Sequence, residues 1–126
     1  MQEQGGLSSE VKTDLELRTR RFALDAIRFC SGLPRRVEYQ VIAKQLLRSA
    51  TSVGANYRSA QRARSRVDFI AKLAIVEEEA DESAYWMQLL SDLSCGPRPE
   101  LERLLDEAKQ LVAIFVASRK TAKRGL

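Results

Sequence analysis

The chain has 126 residues, of which 44% are hydrophobic and 30% are charged, and its formal net charge is +4. This length and balance predict one soluble globular domain with a core that needs no disulfide or metal. The sequence contains no histidine. That absence excludes histidine-based acid–base catalysis, Ser-His-Asp triads and imidazole metal sites.

The ends and the apolar runs of the chain indicate its compartment. No apolar run reaches the roughly 20 residues that a membrane span needs, and the amino terminus lacks the basic start and apolar stretch of a signal peptide. We therefore expect a cytoplasmic protein with no membrane partner, in which Cys30 and Cys95 are reduced thiols. A disulfide between them is the less favoured alternative. It would be possible if the first and third helices run parallel, because both cysteines would then lie near the same end of the bundle.

Four segments carry apolar residues at a helical period, and no window alternates as a strand does. Short connections between them favour antiparallel neighbours. The sequence thus predicts an all-α fold, an antiparallel up-down-up-down four-helix bundle over residues 13–120. Residues 1–12 are expected to form a flexible tail, and residues 121–126 a basic carboxyl-terminal tail.

The first helix has recognisable start and stop signals. Thr13 and Glu16 have the spacing of a capping box, and Gly32 is expected to supply a left-handed stop before Pro34. The predicted inner face consists of Leu15, Phe22, Ala26 and Phe29, widened by Leu24 and Ile27.

The second helix, predicted over about 36–62, carries a line of polar positions that we call the polar seam. With its expected partners on the third helix, the seam comprises Gln45, Arg48, Ser49, Ser52, Asn56, Glu78 and Glu82. Asn56 should be buried and hydrogen-bonded to the third helix or to a neighbouring subunit. Arg48 should lie near Glu77 and Glu78, where ion pairs would fix the helix register. The interior Gly54 suggests a close approach by a neighbouring backbone.

The third helix is predicted over about 66–94, with Ser65 and Asp68 as a capping pair. Its acidic stretch, residues 77–82, resembles the carboxylates of di-metal bundles, but those sites need Glu-x-x-His pairs. We therefore expect no metal, no cofactor and no catalytic residue. Tyr85 and Trp86 could stack on nucleic-acid bases, although core and interface packing is the favoured interpretation.

The fourth helix is predicted to begin near Pro99 or Glu100 and is apolar on all sides over residues 111–117. An outer helix of a monomeric bundle is seldom apolar all round. The pattern therefore predicts a subunit interface that includes Ile114, Val116 and Trp86. In the alternative interpretation, the adjacent helices of the bundle cover both sides.

Basic residues fall at one end of the predicted bundle, where the second turn and the carboxyl terminus of the fourth helix meet. They are Arg58, Arg62, Arg64, Arg66, Arg119, Lys120, Lys123 and Arg124. One interpretation is a solvated basic end, partly paired with acidic residues of a neighbouring subunit. The other is a surface that binds RNA or DNA phosphates.

Two motifs place the chain among known proteins. Arg48-x-Ala50-x-Ser52-Val53-x-x-Asn56 and Ser65-x-x-x-Phe69, followed by Glu82, resemble the four helix bundle protein family. These bacterial proteins were first noticed within intervening sequences of 23S ribosomal RNA genes. This chain departs from the pattern where the family has Ala-Glu-Gly, here residues 58–60, and where it has Gly-Ser, here residues 78–79. No role of that family glutamate is therefore carried over.

The resemblance implies a left-handed bundle that assembles as a ring-like homopentamer, with no established enzymatic activity. The chain is also distantly similar to the accessory protein of diversity-generating retroelements, a basic pentameric bundle that works with a reverse transcriptase and nucleic acid. The expected function is that of a non-enzymatic, self-assembling scaffold or adaptor with no small-molecule substrate. The alternative is a nucleic-acid-binding accessory protein that uses the basic end, in partnership with a reverse transcriptase.

Overall fold

The computed structural model describes residues 9–126, and within them every regular element is a helix. The helices are α1 (Ser9–Ser31), α2 (Val37–Ala60), α3 (Arg66–Asp92) and α4 (Arg98–Arg124). Short connections at 32–36, 61–65 and 93–97 join antiparallel neighbours. α2 packs along α1 and α3, and α3 along α4, whereas α1 meets α4 over a smaller contact. The predicted all-α four-helix fold is confirmed.

Residues 9–12 and 121–124, predicted to belong to the two tails, are helical. α1 begins at Ser9, so residues 9–12 are helical, and residues 1–8 of the expected tail lie outside the described residues. The Thr13 hydroxyl donates to the Ser9 carbonyl at 3.1 Å, so Thr13 sits inside the helix and does not cap it. At the other end, α4 continues to Arg124, through most of the stretch predicted as a tail.

The expected left-handed stop lies in a different turn. Among the described residues only Ser94 and Gly96 have positive φ, of 52° and 84°. Gly32 does not, because α1 ends in a tight turn in which the Gly32 N–H donates to the Phe29 carbonyl. Gly96 is required where it is: a Cβ there would lie 2.6 Å from Phe29 Cζ.

The start of α3 is capped as predicted. The Ser65 hydroxyl accepts from the Asp68 N–H at 3.0 Å. The Asp68 carboxylate reaches back to the Arg64 N–H at 3.3 Å, one residue earlier than in a full capping box. Hydrogen bonds from Lys72, and next from the Arg64 backbone, hold the pKa of Asp68 below its usual value.

The core follows the predicted inner stripes, and its largest members come from all four helices. The largest fully buried side chains include Phe22, Leu46, Tyr57, Phe69, Leu73, Met87, Leu111 and Phe115. Leu24 and Ile27, expected to widen the inner face of α1, are instead exposed. Gly54 does permit a close approach, but from α1: a Cβ there would lie 3.2 Å from Thr19 Oγ1.

Candidate functional site

The polar seam joins α2 to α3 through two serines that are both buried. Ser83 Oγ donates to Ser49 Oγ at 3.0 Å, and the same hydroxyl lies 2.8 Å from the Glu79 carbonyl. Ser83 was not predicted, although it stands one helical turn after Glu79 on the face of α3 towards α2. Small hydroxyl side chains at this contact satisfy each other and let the two helices pack closely.

Arg48 lies on the outer edge of the same contact and holds two carboxylates of α3. Its Nη1 lies 3.0 Å from Glu79 Oε2, and its Nη2 contacts Glu82 Oε2. Trp86 Nε1 donates to the same Glu82 oxygen at 3.1 Å. The Trp86 hydrogen bond first, and then the Arg48 guanidinium, hold the pKa of Glu82 below its usual value.

Other members of the polar seam do not bridge helices as expected. Asn56 is half-buried, and its amide donates to the Ser52 carbonyl of its own helix at 2.8 Å, so the predicted bond to α3 does not form within the chain. Ser52 likewise donates within α2, to the Arg48 carbonyl. Gln45 and Glu78 are exposed. The acidic partners of Arg48 are Glu79 and Glu82, not the Glu77 or Glu78 predicted from the sequence.

A second stripe runs along the outer side of α3, on the flank that Arg48 contacts. We call it the outer stripe; it consists of Ile75, Glu79, Glu82, Trp86, Leu89 and Leu93. Its members alternate steps of four and three residues, the spacing of a helix that packs on another helix. Trp86 and Leu89 are half-buried, whereas Ile75 and Leu93 are exposed. The neighbouring face of α2 adds exposed Val37 and Val41, which share the face of Arg48.

The predicted interface residues of α4 do not form one surface. Ile114 lies one turn after Gln110 and two turns after Glu107 on the same side of α4. The side chains of Glu107 and Gln110 both accept hydrogen bonds from Arg18 of α1. Val116 precedes Arg119 by one turn, and Arg119 pairs with Glu77 of α3 at 2.9 Å. The two apolar side chains are half-buried on opposite flanks of α4, towards α1 and towards α3. The adjacent helices therefore cover much of the apolar segment.

The structure brings the predicted basic residues to one end of the bundle. The turn between α2 and α3 meets the last turn of α4, where Arg66 Nη1 donates to the Ala122 carbonyl at 3.4 Å. Arg66 and Arg119 are half-buried and engaged in these contacts with the bundle. The other members are exposed, and none forms an ion pair with any residue of 9–126: Arg58, Arg62, Arg64, Lys120, Lys123 and Arg124. We refer to these as the basic end.

The other residues with possible chemical roles are the two cysteines and the acidic stretch of residues 77–82. Cys30 and Cys95 form no disulfide, and burial raises the pKa of Cys30 to about 11 and that of Cys95 in the same direction. Both thiols are therefore protonated at neutral pH. Residues 9–126 hold no group of three or more His, Cys, Asp or Glu side chains placed to bind a metal ion. None of their helices is long and apolar enough to cross a membrane.

The arrangement defines an antiparallel four-helix bundle whose α2–α3 contact is fixed by buried serines and an arginine held between two glutamates. The chain matches the family model described as "23S rRNA-intervening sequence protein" over residues 12–117. It belongs to that family, and the resemblance carried by residues 48–69 is confirmed.

A solved structure supports the same assignment. The chain is similar to a protein with unknown function from the S23 ribosomal protein family of Bacteroides thetaiotaomicron, at 32% identity and a TM-score of 0.79. The match covers 86% of this chain and 97% of that chain. No curated protein sequence matches.

Proposed function

We propose that the protein is a non-enzymatic, cytoplasmic scaffold or adaptor that assembles with copies of itself into a homopentamer. The outer stripe of α3 is the observation that carries this proposal. A stripe with coiled-coil spacing that leaves Ile75 and Leu93 exposed is typical of a surface that another helix covers. Arg48 neutralises much of the charge that Glu79 and Glu82 would otherwise bring into such an interface.

A closed ring with an odd number of copies needs two different surfaces on each copy. We assign the first to the outer stripe with Val37 and Val41. We assign the second to the exposed face of α4 that carries Ala113 and Ala117, with half-buried Ile114 and Val116 at its two edges. Trp86 belongs to the first surface, since its indole N–H is already satisfied by Glu82 and its ring is half-buried.

Charge placed on the outer stripe should break the assembly. Ile75→Glu is expected to lower the mass found by light scattering towards the 14.2 kDa of one chain, because burying an unpaired carboxylate in an apolar contact is costly. Leu24→Glu is the matched control, since Leu24 on α1 is 42% exposed and Ile75 is 43% exposed. Far-ultraviolet circular dichroism checks that both variants remain helical.

The outcomes separate clearly. A loss of mass in Ile75→Glu alone supports the outer stripe as the interface. An unchanged mass in Ile75→Glu, or an equal loss in both variants, contradicts that assignment.

The basic end favours a second candidate function, a nucleic-acid-binding accessory role in partnership with a reverse transcriptase. The supporting observation is that six exposed basic side chains, drawn from two helix ends and a turn, lack ion pairs among residues 9–126. Copies of such an unpaired basic surface, repeated around a ring, would bind a chain of phosphates multivalently and so raise the overall affinity. The family description also refers to 23S rRNA.

Neutralising part of the basic end tests this second candidate. Replacing Arg64, Lys120 and Lys123 with glutamine should weaken binding to RNA and DNA, and flatten the plot of log affinity against log salt by up to about 0.9 per lost phosphate contact on duplex DNA. The control triple replaces Arg28, Arg35 and Arg36, which are exposed at the opposite end. Equal effects of the two triples would indicate only a net-charge effect. Absence of binding by the wild-type protein at low salt would exclude the role.

A further inference from the structure

An open groove of about 480 Å³ runs between α1 and α2, on a side of the bundle away from the outer stripe. Its lining includes the small residues Ala23, Gly54 and Ala55, whose short side chains leave room between the two helices. The volume lies within the range of sites that hold small ligands. Arg20 of α1, Arg58 of α2 and Arg62 of the turn after α2 also line the groove.

We propose that this groove binds a phosphomonoester, carried either by a free nucleotide-sized molecule or by the end of a nucleic-acid strand. The groove uses α1 and the side of α2 opposite the polar seam, so this role is separate from self-assembly. Arg58 and Arg62 also belong to the basic end, so a strand end bound here would deepen the nucleic-acid-binding candidate, whereas a free small molecule would be a separate activity.

The charges of the groove favour a dianion. Arg20, Arg58 and Arg62 form no ion pair within residues 9–126, and Glu16 is the single acidic residue of the lining. The planar guanidinium fork matches pairs of phosphate oxygens and binds them through two parallel hydrogen bonds. A phosphomonoester near neutral pH carries close to two negative charges, which three arginines and one glutamate together balance.

Some polar side chains of the lining already donate hydrogen bonds within the protein, and others are left to donate to a ligand. Thr19 Oγ1 donates to the Leu15 carbonyl at 2.7 Å, and Thr51 Oγ1 donates to the Leu47 carbonyl at 2.6 Å. Their hydroxyl protons are therefore committed to their own helices. The donors left for a phosphate are the three arginines and the Gln61 amide, whose contact with the Lys12 carbonyl is long at 3.5 Å.

Isothermal titration tests the groove with defined probes on the full chain. We expect a nucleoside 5′-monophosphate to bind and the nucleoside without phosphate not to bind. Arg58→Gln should weaken binding roughly tenfold or more, because a charge-assisted pair is lost. Glu16→Gln should strengthen it by removing the one repulsive charge. Arg103→Gln, in the separate groove between α1 and α4, should leave the affinity unchanged.

Oligonucleotides distinguish the two sources of the phosphate. Tighter binding of a 5′-phosphorylated strand than of the mononucleotide identifies a strand end, and the reverse order identifies a free small molecule. Equal binding of 5′-phosphorylated and 5′-hydroxyl strands would exclude a strand end as the source, since internal phosphates on the basic end would then account for strand binding. Failure of the mononucleotide to bind at millimolar concentration, or mononucleotide binding that Arg58→Gln does not change, would overturn the proposal. None of these results depends on the oligomeric state.

Discussion

Phe115→Ala is expected to lower the free energy of unfolding by about 3–5 kcal/mol. The Phe115 ring is fully buried in the middle of α4, and its centroid lies 5.4 Å from that of Tyr57 on α2. Removing it takes away apolar contacts and leaves a cavity that helices on several sides cannot close without moving. Urea denaturation at one fixed protein concentration measures the change, because assembly would make stability depend on concentration.

A conservative variant separates the cavity from other effects. Phe115→Leu keeps most of the volume and should cost clearly less than Phe115→Ala. A loss below about 1 kcal/mol for Phe115→Ala would show that the ring does not belong to the core.

Gly96→Ala is expected to destabilise the fold by about 2–4 kcal/mol, from a left-handed backbone and from overpacking. Gly96 has φ of 84°, and a Cβ there would lie 2.6 Å from Phe29 Cζ, a ring atom in the core. Either Phe29 must shift or the turn between α3 and α4 must rearrange. The loss should appear as a lower midpoint in thermal or urea unfolding.

Gly32→Ala is the matched control, since it changes the other glycine that ends a helix at the same end of the bundle. Its added Cβ would meet only the Phe29 carbonyl, at 3.7 Å, and its φ is not positive. We expect no loss, and a gain of up to about 1 kcal/mol from a less flexible unfolded chain. Equal destabilisation by the two variants would contradict the turn geometry described above.

The helices were predictable because apolar periodicity reports burial directly, as the buried stripes of α2, α3 and α4 show. Turn geometry was less predictable. Gly32 and Gly96 both follow helices in the sequence, but only Gly96 has a left-handed backbone, and only there would a Cβ collide with the Phe29 ring. Leu24 and Ile27 extend the apolar pattern of α1 without being buried, because the width of an apolar face does not say how much of it a neighbour covers.

The ion pairs of the acidic stretch, residues 77–82, could not be assigned from the sequence, because they depend on the direction in which each glutamate leaves the helix. Glu77, Glu78 and Glu79 follow one another, and each residue turns the helix by about 100°. As a result Glu77 pairs with Arg119 of α4, Glu78 faces solvent, and Glu79 pairs with Arg48 of α2. The sequence predicted an arginine–glutamate contact between α2 and α3, but the choice among adjacent glutamates required the structure.

Asn56 shows a similar limit. Its position on the polar seam was predictable, but a polar side chain in a helix can bond the preceding turn instead of a neighbour. Asn56 does so, because its amide donates to the Ser52 carbonyl one turn earlier in α2. The outer stripe, in contrast, could have been found from the sequence, because its steps of four and three residues are visible in α3 without any structure.

Self-assembly is the central claim, and the mass of the wild-type chain in solution tests it most directly. Light scattering at micromolar concentration should give several times 14.2 kDa, with a value nearest to about five times that mass, as expected for a cyclic homo-oligomer of this count. A single species at the mass of one chain would contradict the account.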